Sequence, residues 1–396
     1  MTTPASGRPD EPLAGLIRRG LASQLRASRR SVLLLGPRQT GKSTLIRGLG
    51  PDISINLARE TEYLEFARNP GELEQRLAAS TARTVFIDEV QRLPSLLNTI
   101  QALLDERPGR WRFLLTGSSA RKLRRGQANL LPGRVHQYRL GPITAAEAGY
   151  ALDTRQAMST GTLPGILTDA DPADRRRTLA SYAATYVREE VQAEALARNL
   201  EGFSRFIFVA AAAASSFLDL SHLSRDAGVP RQSAVRYFEV LEDTLLVLRA
   251  EAFTRSARRR LVLHPRTFFF DNGVLNGLLG GFDVTADRSG SLFENLLAGQ
   301  IVHSAHARGE ELRLSTYRTA NGAEVDFIVE YGGTLWAIEA KASANVGRTD
   351  LAGLHSFAEF YGRPHRSVVA TTGGTPRKVD GVDVLPWQVL LREMGL

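Results

Sequence analysis

The sequence predicts an α/β protein of several domains, and three observations carry that expectation. Short apolar strands alternate with helical stretches over residues 31–140, a helix–turn–helix grammar starts at 203, and a second strand–helix alternation fills 268–396. At 396 residues the chain exceeds one ordinary core. The expected organisation is a parallel-sheet domain at 1–143, a helical lid or connector at 144–202, a winged helix–turn–helix at 203–267 and a second α/β domain at 268–396.

In the first domain the strand candidates are SVLLLG, DISIN, TVFIDE, WRFLLTG and VHQYRL, each followed by helical sequence, the order of a parallel sheet with crossover helices. The alanine-rich stretch from Thr144 to Gly202 mixes polar and apolar residues at helical spacing, and no internal repeat is visible. From Phe203 the chain reads as an apolar helix, then SHLSRDAGV, PRQSAVRYFEVLED and two β-rich runs, LLVLRA and RLVLH. Gly228 permits the tight turn and Pro230 starts the last helix, whose Arg231, Gln232, Ser233, Arg236 and Tyr237 are the expected face toward a DNA duplex. The last domain predicts a helix at Ser291–Ala307, strands LRLSTYRT, EVDFIVE and TLWAIEAK, a helix near Asp350–Tyr361 and a strand SVVATT. Phe268, Phe269 and Phe270 read as core strand.

A hydrophobic fraction of 43% with 23% charged residues fits a soluble globular chain, and only the opening MTTPASGRPDEP reads as unstructured. No apolar run approaches the roughly 20 residues of a membrane span, and the N-terminus lacks a secretory apolar core, so a cytoplasmic location without a membrane partner is expected. Zero cysteines exclude disulfides, thiolate catalysis and cysteine-ligated metals. The net charge of +8 clusters at Arg121–Arg125, Arg175–Arg177 and Arg255–Arg260, which suits DNA as a partner, although solvated faces give the same composition.

Gly36-Pro37-Arg38-Gln39-Thr40-Gly41-Lys42-Ser43 fits G-x-x-x-x-G-K-[ST] between a predicted strand and a predicted helix. Such a loop turns successive N–H groups toward phosphate oxygens, and the helix behind it adds its positive end. ATP and Mg2+ are therefore the expected cofactors, with Lys42 on the β- and γ-phosphates and Ser43 on the metal. The strand Val85-Phe86-Ile87 ends in Asp88, expected to hold Mg2+ through its water shell, and Glu89, expected to polarise the attacking water. Thr116, Ser118 and Ser119 follow the next strand, either as γ-phosphate sensors or as helix caps.

Together GPRQTGKST, FIDEVQRLP, LLTGSS, LPGR and LGPIT resemble the AAA-type ATPases of prokaryotes that carry an uncharacterised C-terminal domain, over nearly the whole chain. The resemblance implies ATP hydrolysis; Thr44, next to the loop, and Ser118 are expected among the nucleotide contacts. It also implies an arginine finger at Arg134, serving a neighbouring subunit of a homo-oligomeric ring. Arg121, Arg124 and Arg125 are rival fingers, and Arg134 also reads as a turn residue before a strand.

Glu294, Asp326, Glu339 and Lys341 form a second constellation. Residues 339 and 341 share one face of a strand, Asp326 lies in the strand before it, and Glu294 comes from the preceding helix. Three carboxylates suit Mg2+ or Mn2+, and a lysine beside them suits phosphodiester cleavage. The order resembles the restriction-endonuclease-like PD-(D/E)xK fold, with Glu324-Val325-Asp326 where the proline–aspartate pair would stand. That resemblance implies a metal-dependent deoxyribonuclease. The alternative is a nucleotide-controlled binding or signalling protein whose nuclease-like domain does not cut. His303 and His306 lack a matching acid pair and read as a surface helix face.

Overall fold

The computed structural model describes residues 17–118, 131–193, 200–254 and 264–396. Its first sheet is organised around β1 (Ser31–Leu35), buried at every position, as a strand covered on both faces must be. β1 pairs in parallel with β4 (Arg112–Gly117) on one side and β5 (Val135–Arg139) on the other; β3 (Thr84–Asp88) and then β2 (Ile53–Asn56) continue beyond β4. The order β2-β3-β4-β1-β5 reproduces the five expected strands. Leu33, Leu35, Val85, Ile87, Phe113 and Leu115 pack on one face with helices Glu60–Arg68, Glu72–Ala78 and Leu96–Glu106. Val32, Leu34, Phe86 and Leu114 pack on the other with helices Ala22–Ala27 and Lys42–Arg47. Parallel strands place every C-terminal end on one edge, and ligands of such sheets bind there.

The expected helical connector is present as helices Thr154–Thr160, Pro164–Thr168 and Pro172–Ala193. Helices Leu200–Ala212, Leu220–Asp226 and Arg231–Asp243 follow, then the antiparallel pair β6 (Val247–Ala252) and β7 (Arg266–Phe269). The second strand of this hairpin lies downstream of the expected RLVLH run, of which Arg260–Leu263 fall outside the described residues. Phe268 and Phe269 are core strand, as expected. In the helix Arg231–Asp243, Arg231, Gln232 and Arg236 are exposed, whereas Tyr237 is buried against Phe203 and Phe206. The expectation that Tyr237 faces a duplex is thereby corrected: Ala234, Tyr237, Phe238 and Leu241 form the inward i, i+3, i+4, i+7 stripe.

The second sheet has eight strands, β6 and β7 at one side of it. β8 (Arg313–Arg318), β9 (Glu324–Tyr331) and β10 (Thr334–Lys341) run antiparallel in succession, and helix Ala352–Tyr361 crosses over to β11 (Arg366–Thr371), parallel to β10. The short β12 (Arg377–Val379) and β13 (Val382–Pro386) complete that side, while β6 pairs with β8 on the other. One continuous apolar cluster runs from Phe203 and Phe206 through Phe268 and Phe293 to Trp387.

Helix Ala286–Ala307 crosses this cluster and reaches the first domain. Gln300 accepts from the Ala145 N–H at 2.7 Å and donates to the Ile143 carbonyl at 3.0 Å. The His303 ring meets Gly141, where a methyl group would come within 2.3 Å, and its Nε2 lies 2.9 Å from the Phe270 carbonyl. His303 and His306 are therefore not a surface face, as the sequence suggested; they are the packing face against the first domain.

Burial lowers His303 to about 4 and His306 to about 3, so both rings stay neutral in the fold while the unfolded chain takes up protons below pH 6.5. Their stabilising contribution is lost as pH falls from about 6.5 toward those folded values. Buried Asp271, pushed up to about 6, acts in the opposite sense over the upper part of that window. Each histidine taken alone is expected to cost the fold roughly 2.5 kcal/mol at pH 4.5. Thermal unfolding from pH 7 to 4.5 should show a smaller drop in midpoint for His306→Leu than for the wild type.

Candidate nucleotide site and C-terminal acidic cluster

The turn after β1 brings Gly36 so near the Leu140 carbonyl that a Cβ would sit 2.2 Å from that oxygen, which explains glycine at the first loop position. Gln39 and Gly41 adopt positive φ, 61° and 86°, curling the backbone into an anion-binding concavity ahead of the helix Lys42–Arg47. Lys42 is buried and donates to the Gly36 and Pro37 carbonyls at 2.9 and 2.7 Å. Desolvation lowers its pKa to about 8, while Glu89 and Asp88 oppose the shift. The ammonium thus rests on the loop's own carbonyls, at the place where phosphate oxygens would take them over.

Ser43 Oγ donates to Asp88 Oδ1 at 2.8 Å and Thr116 Oγ1 donates to the same oxygen at 2.5 Å, while Arg47 lies 3.4 Å from Oδ2. A hydroxyl and a carboxylate in contact beside a phosphate-binding loop are hard oxygen donors that fit Mg2+. Thr116 is spent on orienting Asp88, so of the residues named as phosphate sensors Ser118 is the one left for that role; Ser119 lies outside the described residues. Gln91 donates to both the Glu89 carboxylate and Ser118 Oγ, linking the two residues. Glu89 itself has a left-handed backbone, φ 58°, uncommon for a non-glycine residue and placed where β3 turns at the strand edge.

Two features of this site were not expected. Arg19 is 9% exposed and donates to the Thr40 carbonyl at 2.6 Å, to Gly141 and Pro142 carbonyls at 2.8 and 3.2 Å, and to Glu147 at 3.0 Å. It staples the phosphate-binding loop to the LGPIT turn. The second is helix Pro172–Ala193: a cavity of about 610 Å³ opens over Arg38, Lys42, Ser43 and Glu89, and Arg177 and Tyr182 of that helix form its far wall. The basic run Arg175–Arg177 therefore divides, Arg177 toward the cavity and Arg175 onto the Asp169 carbonyl.

Arg134 sits at the start of β5, beside the β1 end opposite the loop, and Asp105 holds it through two contacts of 2.6 and 2.8 Å. It does not reach the nucleotide loop of its own chain. The rivals Arg121, Arg124 and Arg125 lie outside the described residues, as do Arg255–Arg260.

At the second sheet, Glu294, Asp326 and Glu339 are brought together as the sequence suggested, but around an arginine. Arg266 of β7 is 5% exposed; its Nη1 donates to Asp326 at 2.8 Å and Glu324 at 3.3 Å, and its Nη2 donates to Glu294. Asp326 also accepts from the Ala340 N–H at 2.9 Å. Lys341 pairs with Glu339 at 3.1 Å and with Asp350 at 3.6 Å, and Glu339 Oε2 is buried without a partner. Burial, and then the Asp326 charge, push Glu294 and Glu339 upward from the ordinary carboxylate range. Among the described residues no group of three or more histidine, aspartate or glutamate side chains is placed to hold a metal ion. The expected ligands Glu294, Asp326 and Glu339 are thus brought together with a guanidinium that engages Glu294 and Asp326.

A parallel five-stranded sheet with a phosphate-binding loop after β1, on one side of the central strand β4, and an acidic pair at the end of β3, on its other side, is the arrangement of a P-loop nucleotide-binding domain. Residues 28–149 match the family described as AAA domain; 151–285 and 289–390 match two domains of unknown function, DUF8612 and DUF4143. An uncharacterised protein of Mycobacterium tuberculosis and one of Mycobacterium bovis are each 27% identical over 334 residues, 83% of this chain and 74% of theirs. Among solved structures, a RuvB variant of Thermotoga maritima is 16% identical with a TM-score of 0.28, covering 59% of this chain and 86% of that one. A signal transduction ATPase with numerous domains from Pyrococcus horikoshii is 11% identical with a TM-score of 0.29, covering 77% and 50%. No helix among the described residues is long and apolar enough to cross a membrane.

Arg19→Met should weaken nucleotide affinity about tenfold, the scale of one or two lost charged hydrogen bonds, while leaving the fold in place. Fluorescent ADP titration alongside circular dichroism checks this; unchanged affinity in a folded Arg19→Met variant would remove the staple from the site.

Proposed function

We propose that the chain is an ATP-hydrolysing, oligomeric AAA-type protein that acts on DNA. The observation that carries the hydrolytic part is the gathering of Lys42, the Ser43–Asp88 pair and the Glu89–Gln91–Ser118 link at one strand edge. Gly36 to Thr44 would cradle the phosphates through backbone N–H groups, and Lys42 would turn from the loop carbonyls to the β- and γ-phosphates. Ser43 and Asp88 would hold Mg2+, which screens the phosphate charge when bound. Glu89 would take the proton of the attacking water, held at the right distance by Gln91. In an oligomer, Arg134 would leave Asp105 and serve a neighbour's nucleotide.

For DNA, the helices from Leu200 to Asp243 with the β6–β7 hairpin fit a winged helix–turn–helix, and Arg231, Gln232 and Arg236 are the exposed side chains it would offer. A nuclease-like C-terminal domain that cuts with Mg2+ or Mn2+ through Glu294, Asp326, Glu339 and Lys341 is the strong form of this reading. The Arg266 contacts favour the weaker form, in which that domain binds and the nucleotide state governs the assembly.

Lys42→Ala should abolish tight ATP binding, and Glu89→Gln should retain binding while lowering turnover roughly 100-fold or more, the loss of a general base. A Glu89→Gln variant that turns over ATP at the wild-type rate would displace Glu89 from the role. Arg134→Ala should bind nucleotide normally and hydrolyse it slowly, and mixing it with Lys42→Ala chains should recover part of the rate. A monomeric mass under ATP together with no recovery in the mixture would overturn the trans arrangement.

A further inference from the structure

Arg266 spends its whole donor set inside the protein. Its Nε and Nη2 donate to the Ser215 carbonyl at 3.0 and 2.5 Å, Nη2 also donates to Glu294, and Nη1 donates to Asp326 and Glu324 at 2.8 and 3.3 Å. Five N–H groups are all a guanidinium has. The rings of Phe217 and Phe268 each lie 5.6 Å from its centre, and its backbone bridges Phe217. A cation so enclosed is held in place by the carboxylates that face it.

We infer that Arg266 is the resident cation of the C-terminal acidic cluster, holding by ion pairing the place a divalent ion would need and keeping the cluster closed to metal. A divalent ion needs about six oxygen ligands in a shell of its own. Here the guanidinium lies within hydrogen-bonding distance of Glu294, Glu324 and Asp326 at once, so ion and arginine exclude each other. The unpartnered Glu339 Oε2 marks the oxygen that the arginine leaves unserved. The arrangement also ties two parts of the fold together: Arg266 lies on β7, whose partner β6 enters the C-terminal sheet through Glu251 and Ala252 opposite Ser315 and Thr316 of β8. Admitting a metal would require the Arg266 side chain to leave the cluster, so metal entry and these ion pairs are alternatives.

Mn2+ binding to the nucleotide-free full chain, followed by electron paramagnetic resonance, tests this directly. The wild type should show no Mn2+ binding that Asp326→Asn removes. Arg266→Met should gain one Mn2+ per chain, at least tenfold tighter than anything the wild type binds, and Arg266→Met with Asp326→Asn should lose it. A wild-type site sensitive to Asp326→Asn, or a folded Arg266→Met chain that gains no Mn2+, overturns the inference. Should Arg266→Met fail to fold, the triple variant Arg266→Met, Glu294→Gln, Asp326→Asn decides: neutral partners should restore the thermal midpoint if the arginine serves as their counter-cation. No recovery would overturn it. ATP turnover of the wild type, measured separately, tests the reading of the N-terminal site and is independent of these outcomes.

Discussion

Buried backbone groups must find partners, and the turn at residues 141–145 is where that requirement shapes the molecule most. Its carbonyls and N–H groups lie between the phosphate-binding loop and the long helix Ala286–Ala307. Arg19 satisfies Gly141 and Pro142, Gln300 satisfies Ile143 and Ala145, and Glu147 accepts from the Thr144 N–H at 3.0 Å. The same turn presses the Leu140 carbonyl against Gly36 and gives Gly141 to His303. One short stretch of chain is thus gripped by the nucleotide site on one side and by the helix that carries Glu294 on the other. Contiguity of this kind is not coupling by itself, but it is the packed route that coupling would use.

What could be read from the sequence was whatever depends on near neighbours. The P-loop is legible because glycine, lysine and serine act within eight consecutive residues, and the strands β8 to β11 because alternation and length define them locally. Arg19 and Arg266 were not legible. Each is a single arginine whose partners are far away in the chain, and nothing near it in sequence announces a buried guanidinium. Tyr237 is different, since its helical phase with Ala234, Phe238 and Leu241 was available and outweighs its proximity to Arg236. His303 and His306 were misjudged because the helix around them buries several faces, so no polar side marks the solvent.

The two acidic centres answer the same electrostatic problem differently. Asp88 is buried at a strand end and is held by two hydroxyls, with a charged group, Arg47, at the margin. On the proposed function, that is the carboxylate an exchangeable ion would use. Asp326 is buried just as well but is met by a guanidinium and a backbone N–H, partners that do not exchange. Equal burial and equal residue type therefore say little about chemistry until the opposing group is known.

The short strand β12 has a consequence for how copies of this chain can associate. A sheet of eight strands that ended on a long apolar strand would invite another chain to extend it and grow without limit. Here the edge is three residues, Arg377 reaches across to the Ala344 carbonyl, and Lys378 is exposed and paired to Asp383 at 2.8 Å. Brevity and positive charge make that edge a poor template for strand addition. Closed assemblies through other surfaces stay open to the molecule, while fibre-like growth from this margin is discouraged.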